Sequence, residues 1–579
     1  DYRRWTVQDN LSWTRTFAKK HDVSIMAGFE ATYYRYRNAS ARKDEMTDAD
    51  LLQLDNAITL TSISGTTTDY AAASFFGRLT YGYAGRYLFE TNLRYDGSSR
   101  FSPETRWGLF PSVSAAWRIS EEPWMKGSGI DNLKIRASWG RLGNNSIGNY
   151  EYLATYDTGY TYSLGGSQVA GIVSSINNDT LTWETTTTTN IGFDFAALRG
   201  RLTAEADVYH KLTDGILYAA PIYATIGNKA APSQNLCDVT NKGVEVTVGW
   251  KDNIGDFHYS VSANFTRNWN EVTKYRGPLQ EGWVTDEYGG RVWQTNIGEV
   301  SSTLDGNRKV MEGKIINEYY LLNLYGGDGS YFYPDGTVNP DGGPKDGMIR
   351  TPEDMAWLEA MVDGGAVFMP NKTIDKKGIW YGDFIYADEN GDGIYGNDYD
   401  YTFQNCSLTP KYYYGLQLSA QWKGIDFSMN LAGAGGHKIY WRYLGFNSYS
   451  TRGDTSLPYD IAYDHYFYDP DNPSDPRTNI TSDHGRLTCN YGGEQNGGSN
   501  YSTHWLYKGD YLKIKNITLG YSFPKRLISK IAMEELRIYF SAENVYTFTD
   551  FPGIDPEFNN MMNYYSQIRQ LSLGVSIKF

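Results

Sequence analysis

The sequence predicts an all-β protein whose strands form a transmembrane antiparallel β-barrel, and three observations indicate this fold class. Apolar and polar residues alternate along many segments, and a strand with such a sequence carries one apolar face and one polar face. No run approaches the roughly 20 apolar residues of a transmembrane helix, which leaves a closed barrel as the way to cross a bilayer. The connections between predicted strands alternate between short and long, as they do in outer-membrane barrels.

The end of the sequence shows the alternation most clearly. Apolar side chains recur at every second position, at Leu571, Leu573, Val575, Ile577 and Phe579, and the residues between them are polar or small. A membrane barrel turns such an apolar face to lipid and the polar face to its lumen. Taken alone, this segment is also compatible with an edge strand of a soluble sandwich.

The same period of two predicts fifteen strands along the chain. They lie near residues 6–18, 22–37, 70–82, 87–97, 106–119, 131–142, 183–197, 201–214, 240–250, 256–270, 411–422, 425–437, 509–522, 535–547 and 568–579. Most exceed the ~5–6 residues of a typical soluble strand and match the ~9–11 residues, with extensions, of a tilted membrane strand.

The predicted connections are sorted by length in alternation. Short ones lie near 19–21, 83–86, 120–130, 198–200, 251–255, 423–424 and 523–534, and long ones near 38–69, 98–105, 143–182, 215–239, 271–410, 438–508 and 548–567. A soluble sandwich has no reason to sort its loops in this way, whereas outer-membrane barrels have short periplasmic turns and long outer loops. We therefore expect residues 1–579 to form a single barrel domain.

The odd number of strands leads to a further expectation. Single-chain bacterial barrels have an even number of strands, so at least one strand should precede Asp1. The alternative is a further hairpin within 271–410, where the segment from Ile315 to Leu324 is the candidate.

Composition is consistent with this fold and excludes some partners. Aromatic residues make up 15% of the chain, with 49 Tyr and 16 Trp, and there are 60 Gly; this suits strands, tight turns and interfacial aromatic girdles, but also glycan-binding β proteins. The net charge of −14 argues against nucleic acid as a partner. Cys237, Cys406 and Cys489 form no disulfide framework, and either a Cys237–Cys406 or a Cys406–Cys489 bridge stays open.

An ordered set of segments resembles the barrel of SusC/RagA-type TonB-dependent transporters. The segments are Phe75–Tyr81, Tyr87–Phe101, Trp107–Ser120, Leu133–Asn144, Trp183–Asp194, Asn241–Glu245, Asp388–Gly393 and Leu512–Ser522. They stand in the order of the family and extend over essentially the whole chain.

The resemblance implies a barrel of about 22 strands around a plug, of which this sequence would hold the C-terminal fifteen or so. The resemblance therefore leads us to expect the plug, the TonB box and the first strands outside this sequence. The family works in the outer membrane of Gram-negative, Bacteroidetes-like bacteria without covalent chemistry. It implies a SusD-like surface lipoprotein as partner, contact with the TonB complex, and active import of an oligosaccharide or, less often, a peptide.

One loop has the spacing of a calcium site. The candidate ligands are Asp388, Asn390 and Asp392 at positions 1, 3 and 5 of an EF-hand-like loop, the carbonyl of Ile394 at position 7, and Asp398 near position 12. Tyr399 occupies position 12 itself, so Asp398 or Asp400 would have to replace the usual acidic ligand. The alternative is an Asn/Asp/Gly-rich turn whose side chains cap their own backbone. No other cofactor is required.

Aromatic residues in the long connections are candidates for cargo binding. They are Tyr156, Tyr160, Tyr162, Trp283, Trp293, Tyr440 and Trp441, with Tyr331 and Tyr333 beside them. Aromatic faces pack on sugar rings, and nearby polar side chains can bond to hydroxyls. The alternatives are an interfacial girdle, packing within the loops, or docking of the lipoprotein.

Catalysis finds little support in the sequence. The seven histidines are scattered, and neither HExxH, GxSxG nor GxxxxGK[ST] occurs. Two rivals to SusC-type import remain. One is a siderophore or vitamin receptor of the same barrel class, which would work without a lipoprotein lid. The other is a secreted glycan-binding β protein or adhesin, which would be soluble without detergent.

Overall fold

The computed structural model describes residues 1–48, 50–174, 176–219, 225, 231–442, 449, 457–488, 495–497, 501–531, 533–557 and 567–579. The chain divides into unit 1, residues 1–251 and 268–275, and unit 2, residues 252–267 and 276–579. In the described part of the chain, no helix has the length and apolar character needed to cross a membrane.

Unit 1 consists of long strands. They are β1 (Tyr2–Phe17), β2 (His21–Met46), β3 (Ala57–Tyr83), β4 (Tyr87–Ser98), β5 (Trp107–Arg118), β6 (Ile130–Asn144), β7 (Tyr156–Leu164), β8 (Ser167–Ser174), β9 (Glu184–Ala197), β10 (Leu202–Ala219) and β11 (Ser233–Ile254). The next strand, β12 (Phe257–Lys274), has residues in both units, as does β11.

Unit 2 combines long strands with two elaborated connections. Its elements are β13 (Glu281–Thr285), β14 (Arg291–Thr295), α1 (Ile297–Val300), β15 (Ser302–Asp305), β16 (Arg308–Val310), β17 (Glu318–Leu322), α2 (Pro352–Asp363), β18 (Val367–Phe368), β19 (Ile394–Tyr395), β20 (Tyr401–Phe403), β21 (Tyr412–Trp422), β22 (Ile425–Gly435), β23 (Lys438–Tyr440), α3 (Tyr459–Tyr463), β24 (Leu506–Lys508), β25 (Tyr511–Ser522), α4 (Lys525–Ile528), β26 (Glu535–Thr549) and β27 (Gln570–Lys578).

Fifteen strands form one antiparallel sheet, in the order β1-β2-β3-β4-β5-β6-β9-β10-β11-β12-β21-β22-β25-β26-β27. The predicted number of strands and the all-β class are thereby confirmed. Each strand of the sheet is hydrogen-bonded to the strands before and after it in this order. The short turns therefore lie at one end of the strands and the long connections at the other. The remaining strands form small separate sheets within the long connections.

The two faces of the sheet differ as the alternation predicts. On one face of unit 1, large apolar side chains lie exposed in rows across strands; Ile135 pairs with Phe193, and they are 44% and 39% exposed. On the other face of unit 1, Arg136 bonds to Asp194 at 3.0 Å and to Asp207 at 2.6 Å. An exposed apolar face of this extent is what a lipid environment covers.

Several predicted strand boundaries are wrong. β10 and β11, predicted at 201–214 and 240–250, run to Ala219 and from Ser233. The difference is larger for β2 and β3, predicted at 22–37 and 70–82, which run to Met46 and from Ala57, so most of the long connection near 38–69 is a paired hairpin. A hairpin with solvent on both faces needs no alternation of apolar and polar residues. These residues form strands because the Thr- and Ile-containing segment 58–68 has a high strand propensity. The alternative of an extra hairpin at 315–324 is also wrong, because β17 belongs to a separate four-stranded sheet.

A polar cluster fixes one short-turn end of unit 1. Glu122 is buried and accepts hydrogen bonds from Arg86 at 2.7 Å, Tyr87 at 2.7 Å and Trp117 at 3.1 Å. The rings of Tyr87 and Trp117 stack with centroids 6.3 Å apart. Rings with one polar tip are typical of the girdle at a membrane surface.

The cysteines are not bridged where the structure describes them. Cys237 and Cys406 are buried free thiols, so a Cys237–Cys406 bridge is not formed. Cys489 lies outside the described residues.

Candidate functional site

The two long connections of unit 2 fold together around a hydrophobic core of their own. The connection between β12 and β21 supplies Trp357, Leu358 and Ile385, and the connection between β22 and β25 supplies Tyr466 and Trp505. All of these side chains are at most 4% exposed. We call this part of unit 2 the loop domain; it lies at the long-connection end of the sheet strands of unit 2.

Helix α2 anchors this core. Thr351 caps its first turn, accepting from the backbone N–H of Asp354 at 3.2 Å while the Asp354 carboxylate accepts from the backbone N–H of Thr351 at 2.8 Å. This reciprocal pair is a capping box, and Pro352 at the first helical position suits the fixed backbone there. Trp357, on the buried face, donates to the carbonyl of Asn339 at 2.8 Å.

The loop domain contains a pocket of about 660 Å³. Six aromatic side chains line it, namely Trp380, Tyr381, Tyr463, Tyr466, Phe467 and Tyr468. Six polar ones join them, namely Lys376, His465, Asp469, Arg477, Asn479 and Arg486. We refer to it as the aromatic pocket. Its size lies within the ~300–1,000 Å³ of ordinary ligand sites.

Backbone pairing holds the wall of the aromatic pocket in place. Phe467 and Asn479 exchange both backbone hydrogen bonds, at 3.2 and 2.8 Å, and Tyr466 donates to the carbonyl of His484 at 3.0 Å. The hydroxyl of Tyr466 donates to the carbonyl of Arg350 at 2.5 Å. Burial raises the pKa of this phenol, which therefore stays neutral at physiological pH.

Two ion pairs supply charged groups next to the aromatic rings. Arg477 donates to both carboxylate oxygens of Asp475, at 3.0 and 2.8 Å, and these bonds lower the pKa of Asp475 to about 2. Arg486 donates to both oxygens of Asp383, at 2.8 and 2.9 Å, and the Asp383 side chain is fully buried. Both guanidinium groups are thus fixed by a bidentate partner, a geometry that arginine favours.

Trp283 and Trp293, both predicted to bind cargo, lie opposite each other on a hairpin. They are register partners of β13 and β14, and their rings meet edge to face with centroids 5.8 Å apart. The guanidinium of Arg291 lies 4.9 Å from the centre of the Trp283 ring. The indole N–H of Trp283 donates to the carbonyl of Asn390 at 2.8 Å, so this hairpin is tied to the predicted calcium loop.

In that loop, the side chains bond to the backbone. Asp388 accepts from the N–H groups of Gly391, Asp392 and Gly393 at 2.7 to 3.1 Å. The other side chains act in the same way: Asn390 accepts from Asp392, and Asp392 accepts from Ile394. This is the arrangement of a self-capped turn.

The acidic residues near position 12 behave differently from each other. Asp398 is exposed, whereas Asp400 is fully buried and accepts from the N–H groups of Glu389, Gly396 and Asn397. Burial raises the pKa of Asp400 to about 6, against the effect of these bonds. Across the described residues, no three His, Cys, Asp or Glu side chains are gathered so as to hold a metal. Calcium binding by this loop stays a prediction.

The other predicted aromatic residues are spread over several places. Tyr156 is 66% exposed on the hairpin of β7 and β8. Tyr160 and Tyr162 pair through their backbones with Gly171 and Val169 in the same hairpin.

Tyr440 and Trp441 are packed within unit 2. Tyr440 is half-buried with its ring 5.8 Å from that of Tyr501, and Trp441 is 4% exposed against Phe551. Of the neighbouring pair, Tyr331 donates to Asp354 at 3.0 Å, and Tyr333 is 46% exposed. None of these residues lines the aromatic pocket.

The residues of the aromatic pocket are not among those that the sequence predicts to bind cargo. A signal for them exists, because five of the ten residues from 459 to 468 are aromatic. Their convergence with Trp380 depends on pairing between distant segments, which composition does not reveal.

Comparison with known proteins gives a consistent result. The family model described as "TonB dependent receptor-like, beta-barrel" matches residues 1–343. The chain is 27% identical to TonB-dependent receptor P3 of Formosa agariphila over 601 residues, covering 99% of the chain and 52% of the relative. It is 29% identical to TonB-dependent receptor SusC of Bacteroides thetaiotaomicron over 517 residues, covering 87% of the chain and 43% of SusC.

A solved structure of the RagAB peptide transporter has the same fold, with a TM-score of 0.74 and 21% identity over 100% of this chain and 56% of that one. The chain therefore spans about half the length of the relatives that it matches.

Proposed function

Since the chain belongs to the TonB-dependent receptor-like β-barrel family of the outer membrane, we propose that the complete protein imports a nutrient across that membrane with energy supplied through TonB. The observation that carries this proposal is the fifteen-stranded sheet with one exposed apolar face and one polar, charged face. Such a sheet separates lipid from an aqueous interior. The named relatives are receptors and transporters, which agrees with a role without covalent chemistry.

We propose that the import step uses a SusD-like surface lipoprotein. The sequence resembles SusC/RagA-type transporters along its whole length, and the loop domain at the long-connection end supplies the folded surface that such a partner would cover. Exposed aromatic side chains such as Tyr459 and Tyr463, 77% and 76% exposed, are typical of surfaces that bind proteins.

The cargo is an oligosaccharide or, as the second possibility, a peptide. A pocket that combines aromatic faces with fixed polar groups supports a cargo that offers both apolar faces and hydrogen-bonding groups. The aromatic pocket has this character, with Trp380 and Phe467 next to Arg477 and His465.

Deletion of the gene in its native bacterium tests the proposal. We expect the deletion strain to lose growth on one class of glycan or peptide, to regain it on complementation, and to show the same defect when TonB is removed. Affinity purification of the tagged protein in detergent should recover a lipoprotein encoded by the adjacent gene. Unchanged growth on every glycan and peptide tested would contradict import, and purification without a lipoprotein would contradict the SusD-like partner.

A further inference from the structure

We propose that the aromatic pocket of the loop domain is a binding subsite for an uncharged saccharide. This inference rests on the proposed import function and narrows its cargo to one chemical class. Four features of the pocket carry it: its aromatic platforms, its fixed polar groups, its charge balance and the pairing of its backbone.

The first feature is a set of aromatic rings whose positions are fixed by other rings. Tyr381 packs edge-on against both Trp380 and Tyr468, with centroids 5.3 and 4.9 Å away. Trp380 and Tyr468 are half-buried, whereas Tyr381 is buried. The rings of Trp380 and Tyr468 therefore stay partly accessible to a ligand, while the buried ring of Tyr381 supports both. The C–H face of a pyranose is apolar and flat enough to pack on such rings.

The second feature is the polar groups beside these rings. The Arg477 guanidinium lies 4.5 Å from the centre of the Phe467 ring. It uses two N–H donors on Asp475, which leaves three of its five donors for hydroxyl oxygens. His465 shares a hydrogen bond of 3.0 Å between Nδ1 and the carbonyl of Ile461. Because a carbonyl only accepts, Nδ1 carries a proton and donates in this bond.

The third feature is the balance of charge around the pocket. Among the charged lining groups, Arg477 and Arg486 are neutralised by Asp475 and Asp383. The remaining two charged side chains, Lys376 and Asp469, have opposite signs, so the net charge of these groups is zero. A site with donors and acceptors but no net charge does not select for a uronate, a sulfate ester or a charged peptide terminus.

The fourth feature argues against an extended peptide. Peptides often bind by adding a strand to an open edge. Here Phe467 exchanges both of its backbone hydrogen bonds with Asn479, and Tyr466 donates to His484. The backbone of this wall is therefore already paired, and a ligand must be recognised by the side chains alone.

Binding to the complete protein, purified in detergent, tests the inference. The probes are hexasaccharides of glucose, mannose and xylose as neutral ligands, a hexagalacturonate as the acidic one, and a tryptic digest of casein as the peptide source. We expect a neutral hexasaccharide to bind in calorimetry. Trp380→Ala and Arg477→Ala should each weaken it at least tenfold, and Trp380→Phe should retain most of the affinity. Tyr288→Ala is the matched control, because Tyr288 is an 88% exposed tyrosine of the same unit outside the pocket.

Each of the other outcomes would disprove one part of the inference or the proposed function itself. Preferential binding of the galacturonate or of casein peptides would overturn the saccharide class. If a neutral hexasaccharide binds equally well to Trp380→Ala, Arg477→Ala and the folded controls Trp380→Phe and Tyr288→Ala, the aromatic pocket is not its binding site. If no probe binds although the deletion strain loses uptake, the inference fails while import stands. A deletion strain with normal uptake would instead overturn the proposed function.

Discussion

Lys513 donates hydrogen bonds to both carboxylate oxygens of Asp555, at 2.6 and 2.7 Å, and both residues are buried. The same Nζ reaches Glu557 at 2.7 Å, and Lys515 bonds to both oxygens of Glu557, also at 2.7 Å. Burial raises the pKa of Glu557, but the bonds from the two lysines outweigh it and hold the pKa below its usual value. Two strand residues thereby fasten residues 555–557 of the last long connection to β25.

Lys513→Met should destabilise the protein by about 3–5 kcal/mol, because it leaves the carboxylate of Asp555 buried without its cation. The double variant Lys513→Met/Asp555→Leu should recover much of this loss, since neither group is then left charged and unpaired. Urea unfolding in lipid vesicles measures both. The control is Lys578→Met, which removes an exposed pair with Glu534 and should cost about 0–1 kcal/mol. Equal stability of Lys513→Met and Lys578→Met would show that the buried pair does not stabilise the fold.

Leu573→Arg should destabilise the membrane-inserted protein by up to about 2–4 kcal/mol, the cost of an arginine on the lipid face near the bilayer centre. Ser572→Arg, one residue away on the opposite face, should change stability much less. Leu573 is 79% exposed and lies in the middle of β27. Unfolding in vesicles compares the two variants, and similar losses for both would contradict a lipid-facing row at Leu573.

Acidification should loosen the loop domain through His504. This imidazole is buried between Tyr449 and Phe384, and burial lowers its pKa to about 3. In the unfolded chain it binds a proton below about pH 6.5, so the unfolded state gains protons first and stability falls as the pH drops from about 6.5 towards 3. Hydrogen exchange of peptides spanning residues 501–508, corrected for intrinsic rates, should show lower protection at pH 5 than at pH 7.

His504→Phe separates this titration from packing. It removes the bond between His504 and the Tyr449 hydroxyl and should reduce protection at pH 7, but the difference between pH 5 and pH 7 should shrink. His258→Gln, at an exposed histidine of a sheet strand, should leave the pH dependence unchanged. A pH dependence in His504→Phe as large as in the unsubstituted protein would assign the effect to other groups.

Calcium binding by the loop from Asp388 to Asp400 can be tested by titration after treatment with EDTA. If the loop binds calcium, calorimetry on the complete protein should give one site that Asp388→Ala and Asp392→Ala abolish. Asp335→Ala is the matched control, because Asp335 also accepts from its own turn, at the N–H of Thr337. A metal peak in anomalous scattering would locate the ion. A titration without heat would leave the loop as the self-capped turn that its hydrogen bonds describe.

The sheet could be predicted from the sequence because its two faces lie in different environments, lipid on one side and the polar interior on the other. Leu573 and Ser572 differ since one meets lipid and the other the polar side, and this repeats along every strand that crosses the bilayer. Strand segments outside the bilayer show no such alternation of apolar and polar residues. The hairpin of β2 and β3 beyond residue 37 is mostly exposed on both faces, so no alternation marks its full length in the sequence.

The candidate site was harder to predict, because its residues meet through long-range packing. Trp441 and Trp380 look alike in sequence, as aromatic residues in long connections. One is buried against Phe551 and the other lines the aromatic pocket. The link between Trp283 and Asn390 likewise joins residues 107 positions apart, which no local pattern encodes.

The core that the two long connections share ties together segments that lie far apart in the chain. Trp357 precedes the hairpin of β21 and β22 in the chain, and Trp505 follows it, yet both side chains belong to the same core. That core can therefore be complete only when the segments on both sides of the hairpin lie at the same end of its two strands.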